Sequence, residues 1–322
     1  MALTANAAAR SMLGRDLLEF SNYTADDILA LLVLAADLKK RRAQGDRPAL
    51  LAGKTLGMIF EKASTRTRVS FEVAMFELGG HALFLSDGAT QIGRGEPVAD
   101  TARVLSRYVD GIMVRTFAHA KLAQLALHAS VPVINGLTDA HHPCQALADL
   151  LTIQEVFGDL RGLTLAYVGD GNNMLHSLMQ AGALVGMNVR SATPKGYEPD
   201  AGVTGQAAAW AKAAGGSVAA GYDPFAAVAG ADVVYTDVWA SMGQEAEAEA
   251  RQSAFAGYQV DAALLAAAAG RAIFMHCLPA HRGEEVNADV IDGPQSVVFD
   301  QAENRLHAQK AVLVATMGAG MR

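Results

Sequence analysis

Short apolar, β-branched runs alternate with helix-period segments along almost all of this 322-residue chain, and that alternation constrains the fold more than any other feature. In the first half the strand candidates are Thr55–Phe60, Ala82–Leu85, Gly111–Arg115 and Val131–Asn135. The second half offers Thr164–Val168, Asn188–Ala192, Val233–Val238, Ala272–Leu278 and Ser296–Phe299. Between them lie helical patterns at Thr65–Leu78, Ala99–Tyr108, Ala120–His128, Pro143–Phe157, Met174–Val185 and Ala201–Ala214. Such alternation calls for mostly parallel sheets covered by helices on both faces. The length suits two cores better than one. The expected fold is α/β, with two doubly wound parallel-sheet domains over residues 1–150 and 151–304. A last helix, 305–322, is expected to pack back on the first domain. The boundary falls through or just after Pro143–Phe157, where Gly158 and Gly162 flank a charged turn.

Bulk properties exclude several function classes. A net charge of -7 argues against nucleic acid as a partner, because a phosphate backbone demands a basic face. An anionic ligand must therefore be drawn by local positive groups. The best apolar runs, Ile28–Ala36 and Ala262–Ala269, are too short to span a membrane. Two cysteines, Cys144 and Cys277, cannot build a disulfide framework, which points to a reducing compartment. No continuous apolar stretch opens the chain as a secretory signal would, so a cytoplasmic location is expected.

The sharpest local signal is Phe60-Glu61-Lys62-Ala63-Ser64-Thr65-Arg66-Thr67-Arg68, which follows a strand and opens a helix. A helix N-terminus offers free backbone N–H groups and the positive end of the macrodipole. Hydroxyls of Ser64, Thr65 and Thr67, with the Arg66 guanidinium, would make that end a phosphate site. Arg68 lies on a different face and can pair with Glu72 one turn on. Taken alone, an ordinary capped helix with solvated arginines also fits. Two apolar rows, Val69-Val73-Phe76 and Phe71-Met75-Leu78, predict burial on two sides.

A second helix mouth is His142-Pro143-Cys144-Gln145, with proline at the first helical position. His142 and Gln145 share one side and could hold a carbonyl or amide group, although a capping His beside a surface Gln is an equal reading. Further polar residues close other strands: Arg115, Asp237 with Ser241, Cys277, and the turn Gly169-Asp170-Gly171-Asn172-Asn173. Parallel sheets bind ligands at the carboxyl ends of their strands, so the active site is expected in the cleft between the two domains. No metal is expected, since His276-Cys277 and His141-His142 are adjacent pairs and not spaced zinc ligands. The Gly169–Asn173 turn lacks the third glycine of a dinucleotide fingerprint, so no cofactor is expected either.

Together these residues resemble the aspartate/ornithine carbamoyltransferase family over nearly the whole chain, from Asp16-Leu17-Leu18 to the final helix. The carbamoyl-phosphate signature is matched by Ser64-Thr65-Arg66-Thr67-Arg68, then Arg115, then His142-Pro143-Cys144-Gln145. Asp237-Val238-Trp239-Ala240-Ser241-Met242-Gly243 and His276-Cys277-Leu278-Pro279 are similar to the loops of the ornithine-using members. The resemblance implies transfer of a carbamoyl group from carbamoyl phosphate to the δ-amine of L-ornithine, giving citrulline and phosphate. The first domain would bind carbamoyl phosphate and the second ornithine. It implies carbamoyl-phosphate binding by Ser64, Thr65, Arg66, Thr67, Gln91, Arg115, His142, Gln145, Cys277, Leu278 and Arg305. Ornithine would be held by Asn173, Asp237, Ser241 and Met242, with Arg115, His142, Cys277 and Asp237 catalytic. Gln91 resembles the glutamine lent to a neighbouring subunit, implying a homotrimer or an assembly of trimers. Transfer to putrescine or a modified ornithine is the nearest alternative, and a carbamoyl-phosphate-binding pseudo-enzyme is the alternative of another class. The acidic stretch Gln244–Ala256 reads as an exposed helix or flap.

Overall fold

A computed structural model describes residues 11–86, 95–241 and 247–318. The chain divides into two compact units, one of residues 1–151 with 304–322 and the other of residues 152–303. Both are built on parallel sheets.

The first unit carries β1 (Thr55–Phe60), β2 (His81–Ser86), β3 (Gly111–Arg115) and β4 (Val133–Leu137) in the order β2-β1-β3-β4. Its helices include α1 (Ala25–Ala43), α2 (Thr65–Glu77), α3 (Val98–Leu105) and α4 (His119–His128), followed by the start of α5 (Pro143–Phe157). Strand order reverses between β1 and β3, where Phe60 pairs with Arg115, so both strands end level with one another. Apolar residues of β1, β3 and β4 pack with α3 and α4 through Ile59, Ala102, Ile112, Val114, Leu122, Leu125 and Val133. The register of β4 slips at Val114/Arg115. Gly136 permits it, because a Cβ there would lie 2.5 Å from the Met113 sulfur.

The second unit has β5 (Thr164–Val168), β6 (Asn188–Ala192), β7 (Ser217–Gly221), β8 (Val233–Thr236) and β9 (Ile273–His276) in the order β7-β6-β5-β8-β9. Its helices are α6 (Asn173–Leu184), α7 (Ala201–Ala214), α8 (Pro224–Val228), α9 (Ala248–Ala254), α10 (Ala262–Ala266) and α11 (Ala288–Ile291). The reversal falls between β5 and β8. Val168, Val234, Val260, Leu264, Phe274 and Val290 lie in its core. The last helix, α12 (Val298–Met317), begins in this unit and ends in the first.

Four expectations need correction. Ser296–Phe299 is not a strand: Ser296 makes one isolated bridge to Phe274, and Val298 already begins α12. That helix therefore starts seven residues before the expected 305. The strand placed at Val131–Asn135 runs over Val133–Leu137 instead, because Pro132 cannot donate to a ladder and the bulge carries pairing past Gly136. Helix α2 buries only one of its two apolar rows: Phe71, Met75 and the following Leu78 are enclosed, whereas Val69 and Phe76 are 51% and 78% exposed. No described helix is long and apolar enough to cross a membrane.

Candidate functional site

In the first unit the residues singled out from sequence converge at the carboxyl ends of β1, β3 and β4. Ser64 caps α2: its hydroxyl accepts the Thr67 backbone N–H at 3.2 Å and lies 3.1 Å from the Thr67 hydroxyl. Thr65 and Arg66 are exposed on the first turn. Arg68 pairs with Glu72 at 2.9 Å. Arg305, in the interior of α12, donates to the Gln145 side-chain oxygen Oε1 at 2.6 Å and to the Thr67 hydroxyl at 3.2 Å. Gln145 in turn donates to Asp149 at 2.8 Å. Ser64, Thr67, Arg305, Gln145 and Asp149 thus form one hydrogen-bonded chain, of which only Ser64 is not buried.

Arg115 ends β3 and is buried, as is His142 beside it. Burial disfavours the imidazolium, and the positive charges of Arg305 and Arg115 push the same way, so the His142 pKa lies well below the ordinary value. At neutral pH this ring is neutral and can donate one N–H without adding charge. Cys144 follows the opposite logic: burial raises its thiol to about 12 against the pull of Arg305, so it remains an inert packing group. Lys62, unassigned from sequence, is buried, pairs with Asp139 and lies 4.2 Å from the Phe117 ring centroid. It ties the β1 loop to the segment ahead of His142.

The second unit has a matching cluster at the ends of β5, β8 and β9. Asn172 caps α6, accepting from the Met174 and Leu175 backbones. Its amide also donates to Asp237 Oδ2 at 2.9 Å. Asp237 Oδ1 takes the Val238 backbone N–H at 2.8 Å and the Cys277 thiol at 3.0 Å. Asn173, the asparagine expected to bind the amino acid, is the first residue of α6 and half-buried, as is Ser241. Gly171 must be glycine, since a Cβ would lie 2.3 Å from the Pro199 nitrogen. Leu278 carries the left-handed backbone angle φ 57 and precedes a cis proline.

Asp170 and Arg251 form a buried ion pair at 2.9 Å, and Arg251 also donates to the Trp239 carbonyl at 2.8 Å. Desolvation outweighs Arg251, and with help from Asp237 raises Asp170 to about 6. Gln91, Met242 and the stretch 242–246 lie outside the described residues. Asp237, His276 and Cys277 bring three possible metal-ligand atoms within 4.8 Å of one another. Two of these atoms already bond each other, and His276 Nδ1 accepts the Leu278 N–H at 2.8 Å. Sequence reasoning considered only the adjacent pair, because Asp237 stands 40 residues from Cys277.

A family model for the aspartate/ornithine carbamoyltransferase carbamoyl-P binding domain matches residues 15–155, and one for the Asp/Orn binding domain matches residues 161–316. The chain belongs to this family. It is 60% identical over 304 residues to the ornithine carbamoyltransferase of Anoxybacillus flavithermus, covering 94% of this chain and 97% of the relative. It is similar to the anabolic ornithine carbamoyltransferase of Pyrococcus furiosus, 59% identical with 96% and 98% covered. The solved ornithine carbamoyltransferase from Pyrococcus furiosus superposes with a TM-score of 0.93 at 58% identity, covering 96% of this chain and 99% of that one. The anabolic enzyme from Campylobacter jejuni superposes at 0.87 with 41% identity, covering 93% and 97%.

Proposed function

We propose that this family member transfers the carbamoyl group of carbamoyl phosphate to the δ-amine of L-ornithine, releasing citrulline and phosphate in arginine biosynthesis. The observation that carries the choice of acceptor is the Cys277–Asp237 contact at 3.0 Å. It sets a thiol and a carboxylate together in the unit matched by the Asp/Orn binding model. An alkylammonium group needs such acceptors. The ornithine carbamoyltransferases to which the chain is similar point to the same amino acid.

In this reading phosphate sits on the Ser64–Thr67 helix mouth, its charge offset by Arg66, Arg115 and Arg305. Arg115 and neutral His142 donate to the carbonyl oxygen, and Gln145 faces the carbamoyl amide. As the amine attacks, that oxygen gains negative charge, so fixed donors favour the transition state over the ground state. The free amine has a pKa near that of lysine, about 10.4, and must lose a proton before it attacks. Asp237 and Cys277 orient it and take part in that step, with Asn173, Ser241 and Met242 holding the rest of ornithine. Leu278 lies at the turn that presents the thiol. The residues 1–151 and 152–303 then bind the two substrates separately.

Citrulline formation with ornithine, putrescine, N-acetylornithine and aspartate run in parallel tests the reading. Turnover with ornithine alone is expected. Turnover with another amine overturns the Asp237–Met242 assignment, and silence with all four points to a binding protein without chemistry. A cytoplasmic trimer sharing Gln91 completes the proposal, and a monomeric mass by sedimentation would reject the trimer.

A further inference from the structure

Asn172 has no part in the mechanism above, although its side chain touches Asp237 directly. The amide is held at both ends. Its Oδ1 accepts the Met174 N–H at 2.9 Å, the Leu175 N–H at 3.3 Å and the Tyr167 hydroxyl at 3.3 Å. Its Nδ2 donates to Asp237 Oδ2 at 2.9 Å. The amide cannot be turned over, because an NH2 group would then face two backbone N–H donors. Tyr167 is fully buried, and desolvation, with Asp237 and Asp170 adding to it, raises its phenol well above the ordinary value. It therefore keeps its proton and serves the amide oxygen as a donor. Tyr167 lies in β5 and stacks on Tyr235 of β8, with ring centroids 5.9 Å apart, two residues before Asp237.

The consequence falls on the Asp237 carboxylate. Oδ1 takes the Val238 N–H at 2.8 Å and the Cys277 thiol at 3.0 Å, and Oδ2 takes the Asn172 amide. A planar carboxylate with donors on both oxygens cannot rotate about its last bond without breaking one of these contacts. Hydrogen bonds to a carboxylate are roughly twice as strong as neutral ones, so the amide is a firm anchor. Without it the group is held from the Oδ1 side alone.

We propose that Asn172 is a positioning residue for the acceptor amine: its amide sets the rotation of the Asp237 carboxylate, and so the face that this carboxylate and the Cys277 thiol offer together. This role rests on the one given to Asp237 above, whereas the link from Asn172 to the thiol stands on the hydrogen bonds alone.

Asn172 also caps α6, a role that serine and aspartate can keep. A capping serine is too short to reach Asp237, and an ionised aspartate cannot donate to it. Asn172→Ser should lower kcat/KM for ornithine about tenfold or more, the usual cost of removing a hydrogen bond to a charged group. Binding of a phosphonate analogue of carbamoyl phosphate should stay as in wild type. Asn172→Asp, measured at a pH above neutral, should fall further, since a second carboxylate then faces Asp237. Capping alone predicts instead that both variants stay near wild type. Circular dichroism and melting temperature identify variants that fold, and Asp237→Asn is the reference. Near-wild-type kcat/KM in folded Asn172→Ser, with Asp237→Asn impaired, overturns the proposal, as does an Asn172→Asp enzyme no worse than Asn172→Ser. If Asn172→Ser does not fold, the Asn172→Asp value decides. If Asp237→Asn uses ornithine normally, the role of Asp237 falls, and alkylation of Cys277 by a small haloacetamide without substrates decides the link. Cys144 is fully buried, and Cys277→Ala supplies the background. A changed alkylation rate in Asn172→Ser supports the link, and an unchanged rate overturns it.

Discussion

The two units use the same architecture for opposite chemistry. In each, the strand order reverses beside a capped helix, β1/β3 with Ser64 and β5/β8 with Asn172. The first collects donors and positive charge, namely Arg115, Arg305 and a His142 kept neutral by burial and by those arginines. The second collects acceptors, with Asp237 and Cys277 in contact and Asp170 raised to about 6. A crossover point in a parallel sheet supplies a place to bind, and the side chains at the strand ends decide the charge of what binds. The contrast fits an anionic donor substrate on one unit and a cationic amine on the other.

The largest expected effect is on the donor side. Arg115→Ala or His142→Ala should lower turnover by about 10²–10³, as losing one fixed donor at a developing oxyanion does. Melting temperature checks that the fold survives. Near-wild-type turnover in either folded variant would break the contrast at its stronger pole. On the acceptor side, Cys277→Ser should lower kcat by about 10²-fold, at the low end for a proton-handling group. A phosphonate analogue of carbamoyl phosphate titrated against this variant should bind as it does to wild type. Weakened analogue binding would show that the thiol serves the donor half.

The smallest effects are pH slopes of opposite sign. Burial alone would raise Glu77, but hydrogen bonds and charges from Lys310 and Arg42 hold it at about 2 against an ordinary 4.5. Its stabilising contribution is present above pH 4.5 and is lost as pH falls toward 2. Asp170, raised from 3.8 to about 6, works the other way: the folded state holds the proton longer, so its contribution is fullest below 3.8 and is lost as pH rises through 6. Denaturant titrations of Glu77→Gln and Asp170→Asn across pH 2–7 should each remove one slope. Equal slopes in wild type and Asp170→Asn would show that Arg251 neutralises Asp170 more completely than its burial opposes it.

Much of the fold was legible in the residues. β1, β3 and β5 follow their runs residue for residue, because each is a mainly apolar segment bounded by polar or turn residues, and the more polar β6 keeps its expected bounds as well. β7 was missed: Ser217-Val218-Ala219-Ala220-Gly221 holds one β-branched residue and sits at an exposed sheet edge, where little hydrophobic pattern is required. The exposed row of α2 was misread for a related reason, since periodicity shows that a face is apolar and not that this chain covers it.

For the site, sequence identified strand ends and helix mouths but not the partners that lock them. Asn173 was singled out, yet its neighbour Asn172 is the residue whose amide donates to Asp237, and nothing local marked Lys62 or Asp149 as partners of Asp139 and Gln145. Such contacts join residues far apart in the chain, where no spacing rule applies. By itself the sequence determined the parallel α/β layers, the capped Ser64 helix and the family, because period, capping chemistry and local motifs are properties of neighbouring residues. Only the tertiary structure decided which charges are buried together. That choice sets His142 neutral, Asp170 high and Cys277 against Asp237, since desolvation and hydrogen bonding act across space and not along the chain.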